Sequence, residues 1–291
     1  MPADSEQARV LLVLLDGTAY REDMERVSAI GRLYKYALND ETQRVYYDRG
    51  VGTGFFKITG RAIGLGLPRN VRQAYAWISD NYLPGTRVIW VGWSRGAFTG
   101  RLLGGMLAHS GLTSSPLDTL DAWKAYRSRK APPLGRTIRI SLGLALDTVS
   151  ALRGPYRFRD VFAPIIMDSA IHFVALDETR SAFEHTPWAG KQAETYLFTG
   201  NHAVAGGAKP GGLSDIVTEA IGQTLETAGI RFRPGYYEGL EPNPDAPIPK
   251  QARFWKWLGH KPRRFCPTAK PHSSVGRRVV GPKRRLFTGR L

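Results

Sequence analysis

Arg87-Val88-Ile89-Trp90-Val91-Gly92-Trp93-Ser94-Arg95-Gly96-Ala97-Phe98-Thr99-Gly100-Arg101 is the stretch on which the rest of the chain turns. Its first six residues form an apolar run of the kind that makes a buried strand. Gly92-Trp93-Ser94-Arg95-Gly96 then has the form G-x-S-x-G. Beyond it, Ala97, Phe98, Leu102, Leu103 and Met106 give a helix its buried face. A serine between a strand and a helix must sit on a sharp turn with its hydroxyl above the sheet. The flanking glycines remove side chains that would clash there. The helix directs the partial positive charge of its N-terminus at the serine.

Working outward, strands alternate with helical patterns. Residues 9–15 are an apolar run ending at Asp16-Gly17-Thr18, a strand and a tight turn. Residues 22–38 carry apolar positions at helical spacing, and 44–47 make a short second strand. Residues 50–66 are Gly-rich and predicted irregular. Val71, Tyr75, Ile78 and Tyr82 share one helix face that Pro84-Gly85 ends. A strand over 136–146 leads to Asp147, and a helix is expected over 165–176. A strand over 195–199 leads to Gly200-Asn201-His202, and 213–227 is a final helix. The alternation implies an α/β fold with a mostly parallel sheet and helices on both faces, and the G-x-S-x-G turn between strand and helix makes the expected class α/β-hydrolase-like. It is expected to run from about residue 9 to 232.

Ligands bind such sheets beyond the carboxyl ends of the strands. Asp16, Ser94, Asp147 and His202 stand at four of those ends. A serine hydroxyl becomes a nucleophile when a base takes its proton, and an acid must orient that base. In α/β-hydrolases the chain order is serine, acid, histidine. Ser94, Asp147 and His202 keep it. His185, before Thr186-Pro187, is the second candidate base, and Asp177 the second candidate acid. The amide of Arg95 is expected to donate to the oxyanion, with Gly17 or Thr18 as the other donor. Asp16 reads as a turn former. No phosphate-loop, dinucleotide or zinc spacing is present, so no cofactor or metal is implied.

Several runs occur in a recognisable order. They are Leu15-Asp16-Gly17-Thr18, Tyr46-Tyr47-Asp48 followed by Gly50-Val51-Gly52-Thr53, and the serine motif through Arg101. Asp147-Thr148-Val149, Ala175-Leu176-Asp177-Glu178 and Phe198-Thr199-Gly200-Asn201-His202 follow. Together they resemble the uncharacterised α/β-hydrolase domain family that includes the type VI secretion phospholipase effectors. The resemblance covers roughly residues 9–228. It implies a Ser-Asp-His esterase acting on phospholipid, with Ser94 as nucleophile, Asp147 as acid and His202 as base. Ala203 stands where the family usually has an Asp. The alternative is a non-catalytic structural or binding protein that keeps the hydrolase scaffold.

The chain has 291 residues, 42% hydrophobic and 23% charged, which excludes a disordered or collagen-like chain. The lone Cys266 excludes an intrachain disulfide and fits a reducing compartment. No signal peptide or membrane-spanning run is visible. The expected location is therefore cytoplasmic as synthesised, with export by a signal-independent route left open.

The formal charge is +16, yet residues 250–291 hold 13 Lys or Arg and no acid. Residues 1–240 are therefore expected to form the catalytic domain, and 241–291 a Pro-rich linker and a basic aromatic tail. Trp255 and Trp257 lie among the cations there, with Arg263, Arg264, Lys283, Arg284 and Arg285. A solvated tail, an anionic membrane contact, and a nucleic-acid or other acidic partner all suit that composition. The membrane surface is the reading carried forward. On that reading the proline-rich segment lets the tail reach away from the body.

Overall fold

The structure is a computed structural model. It describes residues 9–17, 27–50, 63–129, 135–150, 166–188, 190, 192–209, 211–250, 259 and 261–275. Strand β1 (Val10–Leu15) is buried along its whole length. Successive side chains of a strand point to opposite faces, so such a run needs cover on both sides. Leu11, Val13 and Leu15 enter one core, and Val10, Leu12 and Leu14 the other.

Six further strands complete the sheet: β2 (Gln43–Asp48), β3 (Arg87–Trp93), β4 (Ile140–Leu146), β5 (Met167–Ala175), β6 (Ala193–Phe198) and β7 (Lys270–Pro271). Their order is β2-β1-β3-β4-β5-β6-β7, and every neighbouring pair is parallel. The α/β-hydrolase-like class expected from the sequence is the one observed.

Helices α1 (Ala29–Tyr36) and α6 (Gly212–Thr227) cover one face with Ile30, Leu33, Val217 and Ile221. Helices α2 (Ile63–Asn81), α3 (Arg95–Ser110) and α4 (Thr119–Ser128) cover the other with Tyr75, Leu102, Leu103 and Tyr126. The short α5 (His202–Ala205) sits at the carboxyl end of β6. Chain order reverses between β1 and β3, and it is beyond the carboxyl ends of strands at such a switch point that ligands bind in open α/β sheets.

Two expectations are corrected here. The segment expected as a helix over 165–176 is strand β5, paired with β4 and β6. Its second half, His172 to Ala175, is buried on both faces, and periodicity does not separate such a run from a buried helix. The tail was expected to reach away from the body beyond residue 240, but its described residues 261–275 instead lie against it. Lys270 and Pro271 pair with Tyr196 and Leu197 of β6. His272 donates its N–H to the Leu197 carbonyl and stacks on Phe198, with ring centroids 4.3 Å apart. The edge of β6 offers unpaired backbone groups, and the tail satisfies some of them.

Candidate active site

Ser94 follows β3 and is the N-cap of α3, at φ 57 and ψ −118. A non-glycine residue there is strained and persists only when its surroundings fix it. Ser94 N–H donates to the Leu146 carbonyl at 2.9 Å, and Phe98 N–H donates to the Ser94 carbonyl at 3.2 Å. A Cβ on Gly92 would lie 2.7 Å from the Ala97 backbone, and one on Gly96 would lie 2.0 Å from the Leu15 carbonyl oxygen. Both glycines are thus demanded by close backbone approach. They let α3 start directly against the end of β1.

His202 is the first residue of α5. The Asn201 side chain caps that helix, accepting from Ala203 N–H at 3.2 Å and Val204 N–H at 3.3 Å. The buried Glu178 carboxylate accepts the His202 N–H at 3.1 Å and is itself paired with Arg180. The His202 ring lies 5.3 Å from the Trp93 ring and 4.8 Å from the Phe183 ring, centroid to centroid. It is therefore fixed from both ends and on its faces.

Nε2 of His202 is 2.8 Å from Ser94 Oγ, and Nδ1 is 2.6 Å from Asp147 Oδ2. An ionised carboxylate only accepts, so Nδ1 carries the proton and Nε2 is left to accept from the serine hydroxyl. Burial pushes the His202 pKa below the usual imidazole value, with Asp147 pulling it back and Arg263 adding to the fall. A neutral imidazole between a hydroxyl and a carboxylate can take a proton from the first while the second steadies the resulting charge.

Asp147 is fully buried at φ 42. Its N–H donates to the Phe173 carbonyl at 2.7 Å, and its Oδ1 accepts from Ala175 N–H at 3.0 Å. Arg263 grips it as a fork, with Nη1 2.5 Å from Oδ1 and Nη2 2.9 Å from Oδ2. Burial alone would raise the carboxyl pKa. Arg263 and His202 outweigh burial and hold it well below the usual range.

The sequence candidates fall as follows. Ser94, Asp147 and His202 meet. The runner-up Asp177 instead accepts the Gly200 N–H at 2.8 Å through Oδ2. The runner-up His185 is half-buried and stacked against Phe265, and loss of solvent around its ring drives its pKa down to about 4. Arg95 opens α3, so its amide has no acceptor within the helix. The Gly17 amide, expected as the second oxyanion donor, donates 2.6 Å to its neighbour's Asp16 Oδ1. That carboxylate also accepts from Ser28 and Tyr47, which fixes it beside the glycine. Thr18, Trp255, Trp257, Lys283, Arg284 and Arg285 lie outside the described residues. Arg264 is exposed.

Arg263, expected at a surface, is buried with its side chain only 2% exposed. The burial of the Asp147 charge explains this, since a buried carboxylate draws a cation to it. Glu178 stands in one of the runs that carry the family resemblance, but nothing in its spacing gives it a role. A buried acid one strand end away from the histidine was the signal available.

Fold and site together define an α/β-hydrolase-like protein with a serine, histidine and aspartate at the carboxyl edge of a parallel sheet. The family described as T6SS, phospholipase effector Tle1-like, catalytic domain matches residues 9–141, a range that includes Ser94 but neither Asp147 nor His202. The resemblance drawn from the sequence motifs is thus shared by that match. An uncharacterized protein of Saccharomyces cerevisiae is 22% identical over 222 residues, 62% of this chain and 33% of its own length. A crystal structure of an uncharacterized protein from Pseudomonas aeruginosa shares the fold, with a TM-score of 0.51 at 15% identity. It is covered over 49% of its length by 87% of this chain. The Tle1 effector bound to the VgrG spike of the type 6 secretion system gives a TM-score of 0.45 at 15% identity, over 70% of this chain and 51% of that one. The chain spans a third of its curated relative and about half of the two solved chains.

Proposed function

We propose that the protein is a serine ester hydrolase of the phospholipase or lipase type. The observation that carries this reading is the unbroken hydrogen-bond path from Ser94 Oγ through His202 to Asp147. The matched family is named for a phospholipase effector, which supports phospholipid as the substrate class.

In the proposed reaction, Ser94 Oγ attacks the ester carbonyl carbon as its proton passes to His202 Nε2. The carbonyl oxygen becomes an oxyanion, which the Arg95 amide stabilises at the positive end of α3. The oxyanion collapses, the bond to the leaving alcohol breaks, and the imidazolium protonates that alcohol. An acyl-enzyme on Ser94 remains. Water repeats the sequence in reverse order, releasing the fatty acid and restoring the serine. Asp147 steadies the imidazolium in both halves without taking its proton.

The catalytic unit under this reading extends beyond residue 240, because residues 259–275 bond to the sheet and to Asp147. The basic residues that follow remain as a proposed contact for an anionic membrane surface. No described helix is long and apolar enough to cross a membrane.

A fluorophosphonate probe tests the chemistry, since it traps an activated serine without needing the natural substrate. Wild-type protein should label at one site, and Ser94→Ala should not label. Equal labelling of both would move the nucleophile elsewhere. No labelling of either would leave a scaffold without hydrolase chemistry. Release of fatty acid from phospholipid vesicles by wild type, lost in Ser94→Ala, then tests the substrate class.

A further inference from the structure

Asp147 is held by a side chain that lies 116 positions later in the chain. Arg263 Nη1 bonds Oδ1 and the Ala175 carbonyl at 3.0 Å, while Nη2 bonds Oδ2 and the Phe183 carbonyl. The guanidinium thus ties together the residue after β4, the end of β5 and the 181–183 turn that carries Phe183 against the His202 ring. The segment bearing Arg263 is itself anchored on both sides. The Gly259 carbonyl accepts from Ser181 N–H at 3.2 Å, and Lys261 N–H donates to Thr179 at 2.8 Å. Beyond it, β7 joins β6.

We infer that Arg263 is a positioning residue of the active site, and that the C-terminal extension is built in to deliver it. The inference rests on the triad proposed above and deepens it. A planar fork fits a carboxylate at two points, which fixes the plane of Asp147 as well as its charge. Oδ2 is shared between Arg263 and His202 Nδ1, so the direction of the imidazole follows the direction of the carboxylate.

The cation also acts at a distance. The charged groups facing His202 are Asp147 after β4, Glu178 with Arg180 after β5, and Arg263 from the extension. Near Asp147 stand His172 of β5 and His185, and both of these histidines also face Arg101 of α3. Arg263 opposes protonation of His202 and favours ionisation of Asp147. Without it, the imidazolium is easier to form, so the base becomes protonated at a higher pH.

The test measures Ser94-dependent fluorophosphonate labelling of the full chain against pH, with thermal unfolding of each variant. Arg263→Gln should label about 10- to 100-fold more slowly, by analogy with the loss when a partner that orients a metal ligand is removed. Its acid limb should move to higher pH. Arg263→Lys keeps the charge but not the fork, so its rate should fall while its acid limb stays near wild type. Lys261→Gln, on the same segment but exposed, should match wild type. If Arg263→Gln does not unfold cooperatively, the lysine variant alone decides. A folded Arg263→Lys that labels at the wild-type rate would then overturn the inference. A folded Arg263→Gln with the wild-type rate and limb would overturn it as well, while leaving the triad reading intact. Wild type that fails to label, or Ser94→Ala that labels equally, would remove the triad reading and this inference with it.

Discussion

His202 is flanked on one ring nitrogen by a hydroxyl and on the other by a carboxylate, and burial decides its charge. A buried imidazole resists protonation, so its pKa falls below the ordinary value of about 6.5. A base must be unprotonated to work, and a lowered pKa keeps it unprotonated to lower pH. The acid limb of Ser94 labelling should therefore have its midpoint below pH 6.5. Measuring the labelling rate between pH 4 and 8 checks this. A midpoint at or above 6.5 would mean that solvent reaches the ring more freely than the packing of Trp93 and Phe183 allows.

The strand–serine–helix element owes its shape to two glycines, and they can be tested against a third. A Cβ on Gly96 would lie 2.0 Å from the Leu15 carbonyl oxygen, a backbone atom that cannot swing aside. On the same helix, a Cβ on Gly104 would first meet the terminal methyl of Met167 at 2.8 Å, which can rotate away. Gly96→Ala should destabilise the protein by about 2 kcal/mol or more, the scale of overpacking against fixed backbone. Gly104→Ala should cost little, because alanine favours a helix interior over glycine by about 1 kcal/mol. Urea unfolding of the two variants measures the difference. Gly96→Ala should also slow labelling, since it moves the start of α3 away from Ser94. Equal stabilities would show that the end of β1 yields to the added carbon.

At the scale of the whole molecule, the extension divides into a part that belongs to the sheet and a strongly basic end. Ending the chain at Pro249 removes β7 and Arg263 together. That truncation should unfold at lower denaturant and should not label. Ending it at Gly276 keeps both and removes only the final basic residues. This shorter cut should label like wild type yet bind anionic vesicles less, with the wild-type binding weakening as salt rises. Vesicle co-sedimentation at low and high salt, beside retention on DNA, measures it. Equal vesicle binding by the Gly276 truncation would take the basic end out of the membrane contact. Stronger retention on DNA would favour a nucleic-acid partner.

The motif around Ser94, the order of Ser94, Asp147 and His202, and the apolar runs of β1, β3 and β4 were legible in the sequence. These features are local: a glycine flanking a serine, a polar residue ending an apolar run, a period of two or of 3.6. Strand β5 was not legible as a strand, because its run from His172 to Ala175 is buried on both faces and carries no alternation, and its parallel neighbours settle its form. The chain order and strand ends favoured Asp147 over Asp177 and His202 over His185, while the meeting of the Asp147 and His202 side chains with Ser94 is a feature of the tertiary structure. Arg263 looked like one cation of many in a basic tail. It became part of the site because a carboxylate buried at the end of β4 needs a counter-charge, and folding brings that one arginine within reach.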